Sequence, residues 1–309
     1  MAQVFDDKSE ICISFLLEQL ERHWQGSPNA ASTPFFLGMN GVQGVGKTTL
    51  VKAIANTLRS PPYSLPTIVL SIDDLYLPHD GLVELASSHP DNPLIQHRGQ
   101  PSTHDVSLGT LTLSSIRRGG PTKIPQFDKS CFQGQGDRVS EDQWETVNME
   151  EEPKIKVVIF EGWCVGFRSI GEEEVKRRWH EAVFSRGNGA YDGRLGWNRA
   201  EDVLFVDRAL EGYTNMTTQF DAFIHIDAEN IRYVYDWRLE QEVELRAIKG
   251  AGMTNEQVHK FVDGYYSSYE LYTEGLRNGV FMGADSEPKG RQLRLIVGRD
   301  RKVREVKRI

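Results

Sequence analysis

The sequence has few cysteines, no excess of positive charge and no long apolar run, and each absence argues against a class of protein. The cysteines are odd in number and form no Cys-x-x-Cys pair, so neither a disulfide framework nor a zinc site is indicated: Cys12, Cys131 and Cys164. The formal net charge is −8, whereas a nucleic-acid binder needs a concentrated positive face. No apolar run approaches the ~18 residues of a membrane span. We therefore expect neither nucleic acid nor a membrane as a partner.

The start of the chain is not typical of an exported protein. It carries Asp6, Asp7 and Glu10 where a leader would have a basic segment followed by an apolar one. Together with the cysteine pattern, this predicts a soluble, cytoplasmic protein. Of the 309 residues, 39% are hydrophobic and 26% are charged, which is ordinary for a globular protein. Because no repeat or low-complexity linker stands out, we expect a single domain over residues 1–309, with an N-terminal helix and linker over residues 1–33.

The most specific motif is a phosphate-binding loop. Residues 41–48 read Gly-Val-Gln-Gly-Val-Gly-Lys-Thr and fit the pattern Gly-x-x-x-x-Gly-Lys-Ser/Thr at every constrained position. The apolar run 34–39 predicts a buried strand in front of it, and residues 48–59 predict a helix behind it, which is the context that the motif requires. A chance match is expected about once in a hundred chains of this composition. The sequence therefore predicts that the protein binds a nucleotide.

The chemistry of this loop follows from its residue types. Its glycines let backbone N–H groups turn inward, and the helix N-terminus adds partial positive charge. We expect Lys47 to reach the β- and γ-phosphates of ATP and the Thr48 hydroxyl to bind Mg²⁺. The residues expected to contact the nucleotide are Gly41, Gln43, Gly44, Val45, Gly46, Lys47, Thr48 and Thr49. The motif alone does not say whether the phosphoryl group goes to water, to a protein or to a small molecule.

The remaining pattern alternates between strands and helices. Further strands are predicted over residues 67–72, 155–160, 220–226, 293–297 and 302–306. Helices are predicted over residues 8–24, 105–118, 230–249 and 255–276. This alternation predicts an α/β fold with a doubly wound, mainly parallel sheet and helices on both faces. Residues 168–198 are charged and glycine-rich, and we expect them to form a surface excursion.

Three carboxylates follow predicted strands. Asp73 and Asp74 end the second strand, and Glu161 ends the third. Because the carboxyl ends of parallel strands line the ligand crevice, these side chains are expected on the same side of the sheet as the phosphate loop. Glu161 is positioned to hold Mg²⁺ or its water shell, the alternative being a carboxylate that faces solvent. For Asp74 the favoured alternative is a turn cap.

Two polar segments between these strands are candidates for acceptor binding. Residues 97–105 are rich in hydrogen-bond donors and could hold an anionic substrate, while Thr103 or Asp105 could also cap the following helix. Residues 123–138 combine charges and glycines without a helical period, which suggests a loop that closes over ligand. Lys129 and Arg138 are its candidate phosphate or carboxylate contacts, the alternative for either being a solvated surface charge.

The late helices offer a candidate for the stabilisation of phosphoryl charge. Arg232 and Arg238 follow the fourth strand of the predicted sheet, where a lid arginine would act on the transferring group. On a helix this charged, a solvated arginine is the commoner outcome for either residue. The tyrosines at helical spacing on the next helix are more often a core stripe than a stacking platform: Tyr265, Tyr269 and Tyr272.

Ordered blocks over most of the chain resemble one branch of the P-loop kinases. The blocks are residues 41–48, 71–76, 98–105, 127–130, 134–138, 161–163, 237–242 and 252–258. They are similar to the D-glycerate 3-kinase branch of the phosphoribulokinase, uridine kinase and pantothenate kinase group, and especially to its fungal ATP-dependent kinases. The resemblance implies a P-loop NTPase-type fold with a helical lid, here residues 230–276. Residues 168–220 carry little of the pattern and are expected to be a variable excursion.

The resemblance also implies roles for individual residues. Asp73 would be the base that faces the acceptor hydroxyl, Lys47 and Arg238 would act on the phosphoryl group, and Thr48 and Glu161 would serve the metal. The residues expected to bind the acceptor are Asp74, Tyr76, Arg98, His104, Lys129 and Arg138. An arginine fork can bind a carboxylate in a bidentate manner, which suits Arg98 to an anionic acceptor.

The combined interpretation is transfer of the ATP γ-phosphoryl group to a hydroxyl of a small anionic acceptor, with D-glycerate as the expected acceptor. Two alternatives stay open at this point. One is a kinase of the same group with another acceptor, such as a nucleoside, pantothenate or a sugar acid. The other is a nucleotide-dependent switch without turnover, although no Asn-Lys-x-Asp motif for guanine is present. The sequence does not indicate the oligomeric state.

Overall fold

The central element of the fold is a six-stranded sheet. A computed structural model describes residues 7–26, 33–250, 252–281 and 290–309. In chain order its strands are β1 (Phe35–Gly41), β2 (Thr67–Ser71), β3 (Thr122–Lys123), β4 (Phe127–Asp128), β5 (Asp137–Arg138), β6 (Thr146–Val147), β7 (Val157–Gly162), β8 (Ala222–Ala228), β9 (Gln292–Val297) and β10 (Val303–Arg308). The large sheet has the order β10-β9-β8-β1-β7-β2, while β3 pairs with β6 and β4 pairs with β5.

Helices connect and flank these strands. They are α1 (Ser9–Gln25), α2 (Lys47–Arg59), α3 (His79–Ser88), α4 (Val106–Arg117), the short turn α5 (Cys131–Gly134), α6 (Glu172–Gly187), α7 (Ala200–Thr217), α8 (Tyr233–Lys249) and α9 (Asn255–Asn278). A 3₁₀ turn at Ile72–Leu75 directly follows β2. None of the helices in the described ranges combines the length and the apolar character needed to cross a membrane.

The strand order places the phosphate loop at the centre of the sheet. β1 pairs in parallel with β7 on one side and with β8 on the other, and every residue of β1 is buried. Such near-continuous burial is expected where helices cover both faces of a parallel strand. β7 and β2 lie on one side of β1, whereas β8 and β9 lie on the other. Where the strand order reverses in this way, a crevice opens at the carboxyl ends of the strands, and ligands bind there in doubly wound folds.

The predicted fold class is confirmed. Five neighbouring strands of the large sheet are parallel, namely β9, β8, β1, β7 and β2, and the predicted terminal hairpin is present because β10 runs antiparallel to β9. The third large strand begins at Val157 rather than residue 155 and extends to Gly162, so Glu161 lies within it. The linker expected between α1 and β1 falls largely on residues 27–32, which lie outside the described residues.

The expectation of a surface excursion over residues 168–198 is wrong. This segment forms α6, and the helix turns Val175 and Ala182 into the core. Its outer face carries ion pairs between Glu174 and the neighbouring arginines Arg177 and Arg178, and this charge hides the helical period in the sequence. The adjoining α7 also belongs to the core through the buried residues Val203, Leu204, Val206, Leu210, Tyr213 and Met216.

Candidate active site

A cleft of about 1290 Å³ runs along the carboxyl edge of the sheet. It lies between the phosphate loop, the β4–β5 hairpin and helices α3, α8 and α9. Of the residues predicted from the sequence, the cleft is lined by Gln43, Lys47, Asp73, Tyr76, Arg98, Lys129, Glu161 and Arg238. Groups from six separate stretches of the chain therefore meet at one cavity, which is the arrangement expected of an active site.

The phosphate loop joins β1 to α2 and depends on two glycines with positive φ. Gly44 has φ +81°, and a Cβ atom added to it would lie 2.5 Å from Cβ of Trp237. Gly46 has φ +95° in the left-handed region and caps the N-terminus of α2. Only glycine adopts these conformations without strain, so the motif's glycines follow from the local geometry.

The residues of the phosphate loop differ in their exposure. Gly46, Thr48 and Thr49 are exposed at the start of α2, where free backbone N–H groups favour an anion. Val45 turns its side chain into the core and is almost completely buried. It therefore offers a nucleotide only its backbone. The loop itself is fastened to α9, because the Gln43 N–H donates to the Tyr269 hydroxyl at 3.4 Å.

Lys47 and Glu161 face each other across the base of the cleft. In the register of the sheet, Glu161 lies beside Met39 of β1 and Ser71 of β2. Its Oε2 atom is 3.0 Å from Nζ of Lys47, an ion-pair distance, but it is buried and accepts no hydrogen bond. A buried carboxylate oxygen without a hydrogen-bond partner is unusual, and here the Lys47 ammonium group compensates its charge.

These groups fit a magnesium ion. Mg²⁺ prefers oxygen ligands and is commonly held by one or two protein groups together with substrate phosphates and water. Glu161 supplies a carboxylate oxygen that accepts no hydrogen bond, and Thr48 supplies an exposed hydroxyl at the first turn of α2. Within the described ranges no cluster of three or more His, Cys, Asp or Glu residues could form an all-protein metal cage. The donor set thus suits a metal that arrives with a nucleotide.

Asp73 lies in the 3₁₀ turn that follows β2, and both of its carboxylate oxygens have partners. The Ser71 hydroxyl caps this turn by accepting the Asp73 N–H. Oδ1 of Asp73 accepts a hydrogen bond of 3.1 Å from the Tyr76 hydroxyl, and Oδ2 accepts one from the Lys129 ammonium group. Burial raises the pKa of Asp73, but the charge and hydrogen bond of Lys129 and the charges of His104 and Lys47 together outweigh it, so the net pKa is lowered. Asp73 is therefore ionised at neutral pH.

Lys129 belongs to the hairpin that joins β4 to β5, and Arg98 holds this hairpin against the cleft. Arg98 donates from Nη1 to the carbonyl oxygens of Gly134, at 2.6 Å, and Gln135. Its guanidinium group also lies 5.6 Å from the centre of the Phe127 ring. Lys129 and Arg98 are thus two cationic side chains of the cleft that contains Asp73: Lys129 is largely exposed, whereas Arg98 is hydrogen-bonded to the hairpin backbone.

Asp74, His104 and Arg138 do not line the cleft within the described part of the chain. Asp74 accepts the Phe127 N–H at 3.3 Å, and burial raises its pKa. Arg138 pairs with Asp105 at 3.2 Å and donates to the Tyr76 carbonyl at 2.8 Å. These contacts brace the wall of the cleft from behind. For Asp74, acceptance of a backbone N–H is close to the capping role that the sequence analysis gave as the alternative.

His104 supports Tyr76 from the side away from the cleft. Its ring stacks on that of Tyr76 with centroids 4.4 Å apart, and its Nδ1 is 2.7 Å from the Tyr213 hydroxyl. Burial lowers the pKa of His104 to about 4, so the ring is neutral at pH 7. The N-cap expected nearby is Asp105, whose side chain accepts the Leu108 N–H.

Of the two candidate lid arginines, Arg238 faces the cleft. Its guanidinium group lies 5.2 Å from the Phe261 ring centre, donates to Gln241 at 2.7 Å and is 3.7 Å from the Glu242 carboxylate. Arg232 instead pairs with Asp192 at 3.1 Å, and it is absent from the cleft lining in the part of the chain that the structure describes. The tyrosine stripe of α9 is buried as expected, although Tyr265 also reaches the cleft.

Sequence reasoning missed the apolar part of the lining. α3 contributes Leu82, Val83 and Ala86, and the far side adds Met253 and Phe261. The apolar spacing within residues 79–88 could have predicted this helix. It was missed because the segment is short and lies between two prolines. Apolar walls of this kind exclude water from a cleft and strengthen the electrostatic interactions inside it.

No protein-family model matches the chain. It is 37% identical over 276 residues to an uncharacterised kinase of Schizosaccharomyces pombe, covering 88% of this chain and 92% of that protein. It is 33% identical over 259 residues to a chloroplastic D-glycerate 3-kinase of Arabidopsis thaliana, covering 82% of this chain and 51% of that protein. A solved D-glycerate 3-kinase from Cryptococcus neoformans superposes with a TM-score of 0.86 at 32% identity, covering 98% of this chain and 99% of that one.

Proposed function

The chain belongs to the D-glycerate 3-kinase-like family of P-loop kinases, and we propose that its acceptor is D-glycerate, phosphorylated on a hydroxyl by ATP. The chain is therefore an ATP-dependent phosphotransferase. The observation that carries the choice of acceptor is the near-complete superposition on a D-glycerate 3-kinase, with a TM-score of 0.86. Lys129, which is hydrogen-bonded to Asp73, and Arg98, which lines the same cleft, support it, because cationic side chains suit an acceptor that carries a carboxylate next to its hydroxyl.

In the proposed complex the phosphate loop and Lys47 hold the β- and γ-phosphates of ATP. The exposed start of α2 supplies N–H groups, and Lys47 supplies a point charge. Thr48 and Glu161 would hold Mg²⁺ at this place, where the ion would neutralise developing charge on the phosphate oxygens. In this proposal the Lys47 ammonium group moves from its ion pair with Glu161 to the phosphates.

Asp73 is proposed to orient the acceptor hydroxyl and to accept its proton. For this, one of its oxygens must be released, and Lys129 is the partner that can leave. Tyr76 is buried and braced by His104, whereas the Lys129 side chain is 55% exposed on a hairpin. An acceptor carboxylate would draw the Lys129 ammonium group to itself and free Oδ2 of Asp73 for the hydroxyl.

This exchange selects for anionic acceptors. A neutral polyol has no negative charge that could replace Asp73 as the partner of Lys129, so Lys129 stays bound to Oδ2 of Asp73. An acceptor with a carboxylate beside its hydroxyl satisfies both groups at once, and Arg98 can add a second charged contact. Asp74, His104 and Arg138 then act by positioning Tyr76 and the hairpin rather than by contacting the acceptor.

Arg238 is proposed to stabilise the charge that develops on the transferring phosphoryl group. It is the lid arginine that lines the cleft, and its Nε atom is buried without a hydrogen-bond partner. A donor of this kind, aimed at the transition state, is typical of phosphoryl transfer. Since α8 carries Arg238, α8 and α9 would form the helical lid in this proposal.

We also propose that the protein acts in the cytoplasm. Its three cysteines are odd in number and form no Cys-x-x-Cys pair. This is typical of a reducing compartment.

The experiment that tests the function is ADP release from Mg-ATP across a panel of acceptors. The panel holds D-glycerate, L-glycerate, glycerol, pantothenate, uridine and ribulose 5-phosphate. Stimulation by D-glycerate well above the others supports the proposal. Stimulation by another member reassigns the acceptor within the same group of kinases, and no stimulation despite ATP binding would favour a nucleotide-binding switch.

A further inference from the structure

The turn between β9 and β10 contacts the phosphate loop from outside the cleft. Arg301 lies in this turn and donates from Nε to the carbonyl oxygen of Gly44 at 2.8 Å. It is absent from the cleft lining among the described residues. The carbonyl that it holds is therefore turned away from the side on which phosphates bind. Neither the nucleotide nor the acceptor chemistry described above uses this contact.

Arg301 is itself fixed by helix α8. Its guanidinium group lies 5.4 Å from the ring centre of Trp237, and its Nη2 is 2.6 Å from the Glu240 carboxylate. Trp237 is completely buried, packs directly under Gly44 and donates from Nε1 to the Arg299 carbonyl at 2.7 Å. The hairpin turn, the phosphate loop and α8 therefore form one continuous set of contacts.

The backbone of Arg301 lies in the left-handed region within the turn that joins β9 to β10. Its φ is +61°, in the left-handed region that residues with a side chain rarely occupy. Such conformations persist where the surroundings impose them, and they concentrate at functional positions. The turn is closed by hydrogen bonds between Gly298 and residues 301 and 302, which hold Arg301 toward the loop.

We propose that Arg301 is a positioning residue that holds the phosphate loop in its nucleotide-binding shape. A peptide that follows a glycine with positive φ can flip at little cost, and a flip at Gly44 would aim its carbonyl oxygen at the phosphates. A carbonyl oxygen there repels an anion, whereas the N–H groups of the loop attract it. The charged hydrogen bond from Arg301 keeps this carbonyl on the outer side. The loop is thereby preorganised before the nucleotide arrives.

The test is calorimetric titration of the full chain with ADP, which does not depend on the identity of the acceptor. Arg301→Ala should weaken ADP binding about tenfold, the effect expected for loss of a charged hydrogen bond. The matched control is Arg304→Ala, which removes an exposed arginine of the same hairpin that pairs with Asp300. Its ADP affinity should equal that of the unmodified protein. Equal ADP affinity in a folded Arg301→Ala variant would overturn the proposal.

A second variant covers the case in which Arg301→Ala does not fold. Arg301→Lys keeps the charge and the stem over Trp237 but lacks the planar fork that reaches Gly44 and Glu240 together. It should fold with an unchanged melting temperature and still bind ADP several-fold more weakly. In turnover assays the KM for ATP should rise while the KM for the acceptor stays constant, a split that general loosening of the fold would not produce. Unchanged ADP affinity in Arg301→Lys would refute the role of Arg301.

Discussion

Lys129 is hydrogen-bonded through its ammonium group to Oδ2 of Asp73, so the candidate base is covered by a cation from a hairpin on the cleft wall. Tyr76 holds the other oxygen from within the core. The two partners differ in freedom, because Tyr76 is buried whereas Lys129 is largely exposed. The carboxylate of an acceptor can therefore replace Asp73 as the partner of Lys129. The first two predictions follow from this replacement.

Lys129→Met should weaken the use of D-glycerate while preserving the shape of the hairpin. Loss of one charged contact to the acceptor carboxylate is expected to raise the KM for D-glycerate at least tenfold. The preference for D-glycerate over glycerol should shrink by a similar factor. Lys123→Met is a suitable control, because Lys123 is an exposed lysine just ahead of the same hairpin and pairs with Glu141. Equal KM values in the two variants would contradict the role of Lys129.

Lys129→Met should also move the acid limb of the pH–rate profile. Burial raises the pKa of Asp73, whereas the charge and hydrogen bond of Lys129, together with the charges of His104 and Lys47, lower it, and the net pKa is lowered. Without Lys129 the effect of burial remains, so the pKa rises and Asp73 is protonated at a higher pH. The loss of kcat/KM for D-glycerate on acidification should therefore begin at a higher pH in the variant. A limb at the same or a lower pH would show that Lys129 does not tune Asp73.

Arg238 and Arg232 form a natural matched pair on the lid helix and its N-terminal end. Arg238→Ala should lower kcat about a hundredfold, as expected when one donor to developing charge is removed, with a smaller effect on ATP affinity. Arg232→Ala should leave kcat nearly unchanged, because Arg232 pairs with Asp192 away from the cleft lining. Initial rates at saturating ATP and acceptor distinguish them. The reverse ranking would assign the lid arginine to Arg232.

Two buried histidines predict a loss of stability in mild acid. Burial lowers the pKa of both His104 and His225 to about 4, from an ordinary value of 6.5. The unfolded chain therefore takes up protons between pH 6.5 and 4 that the folded chain does not, so stability is present above pH 6.5 and falls as the pH drops toward 4. Each histidine should add up to about 1.4 kcal/mol per pH unit to the slope of the free energy of unfolding.

Urea unfolding between pH 7 and pH 5 measures this slope. His104→Asn should reduce it by the contribution of one proton, whereas the exposed His180 gives a control in His180→Asn that should leave it unchanged. If His104→Asn keeps the full slope, the neutral buried state of His104 is excluded.

The large elements and the charged cleft residues that carry the proposed chemistry could be predicted from the sequence because their signals are local. A glycine-rich loop between an apolar strand and a helix predicts a phosphate loop. Asp73 and Glu161 come at the carboxyl ends of parallel strands, so they are expected beside that loop. Lys129, Arg98 and Arg238 line the same cleft as the sequence led us to expect. Their roles stay predictions.

What the sequence could not supply is the direction in which a polar side chain points. Asp74, His104 and Arg138 stand in polar blocks beside cleft residues, yet they bond to backbone or rings behind the wall. A cap and a substrate contact use the same residue types, so only the tertiary structure separates them. Helix α6 was also missed, because the charged residues on its outer face are more numerous than its two buried residues and obscure its apolar spacing.

The central claim is that this chain phosphorylates D-glycerate with Asp73 as the base. The most direct measurement is ³¹P NMR of the product formed from D-glycerate and Mg-ATP, compared between the unmodified protein and Asp73→Asn, with ADP affinity measured for both. The account predicts a phosphate ester on a D-glycerate hydroxyl, formed at least a hundredfold more slowly by Asp73→Asn, with unchanged ADP affinity. Absence of a glycerate ester, or equal rates in the two proteins, would contradict the account.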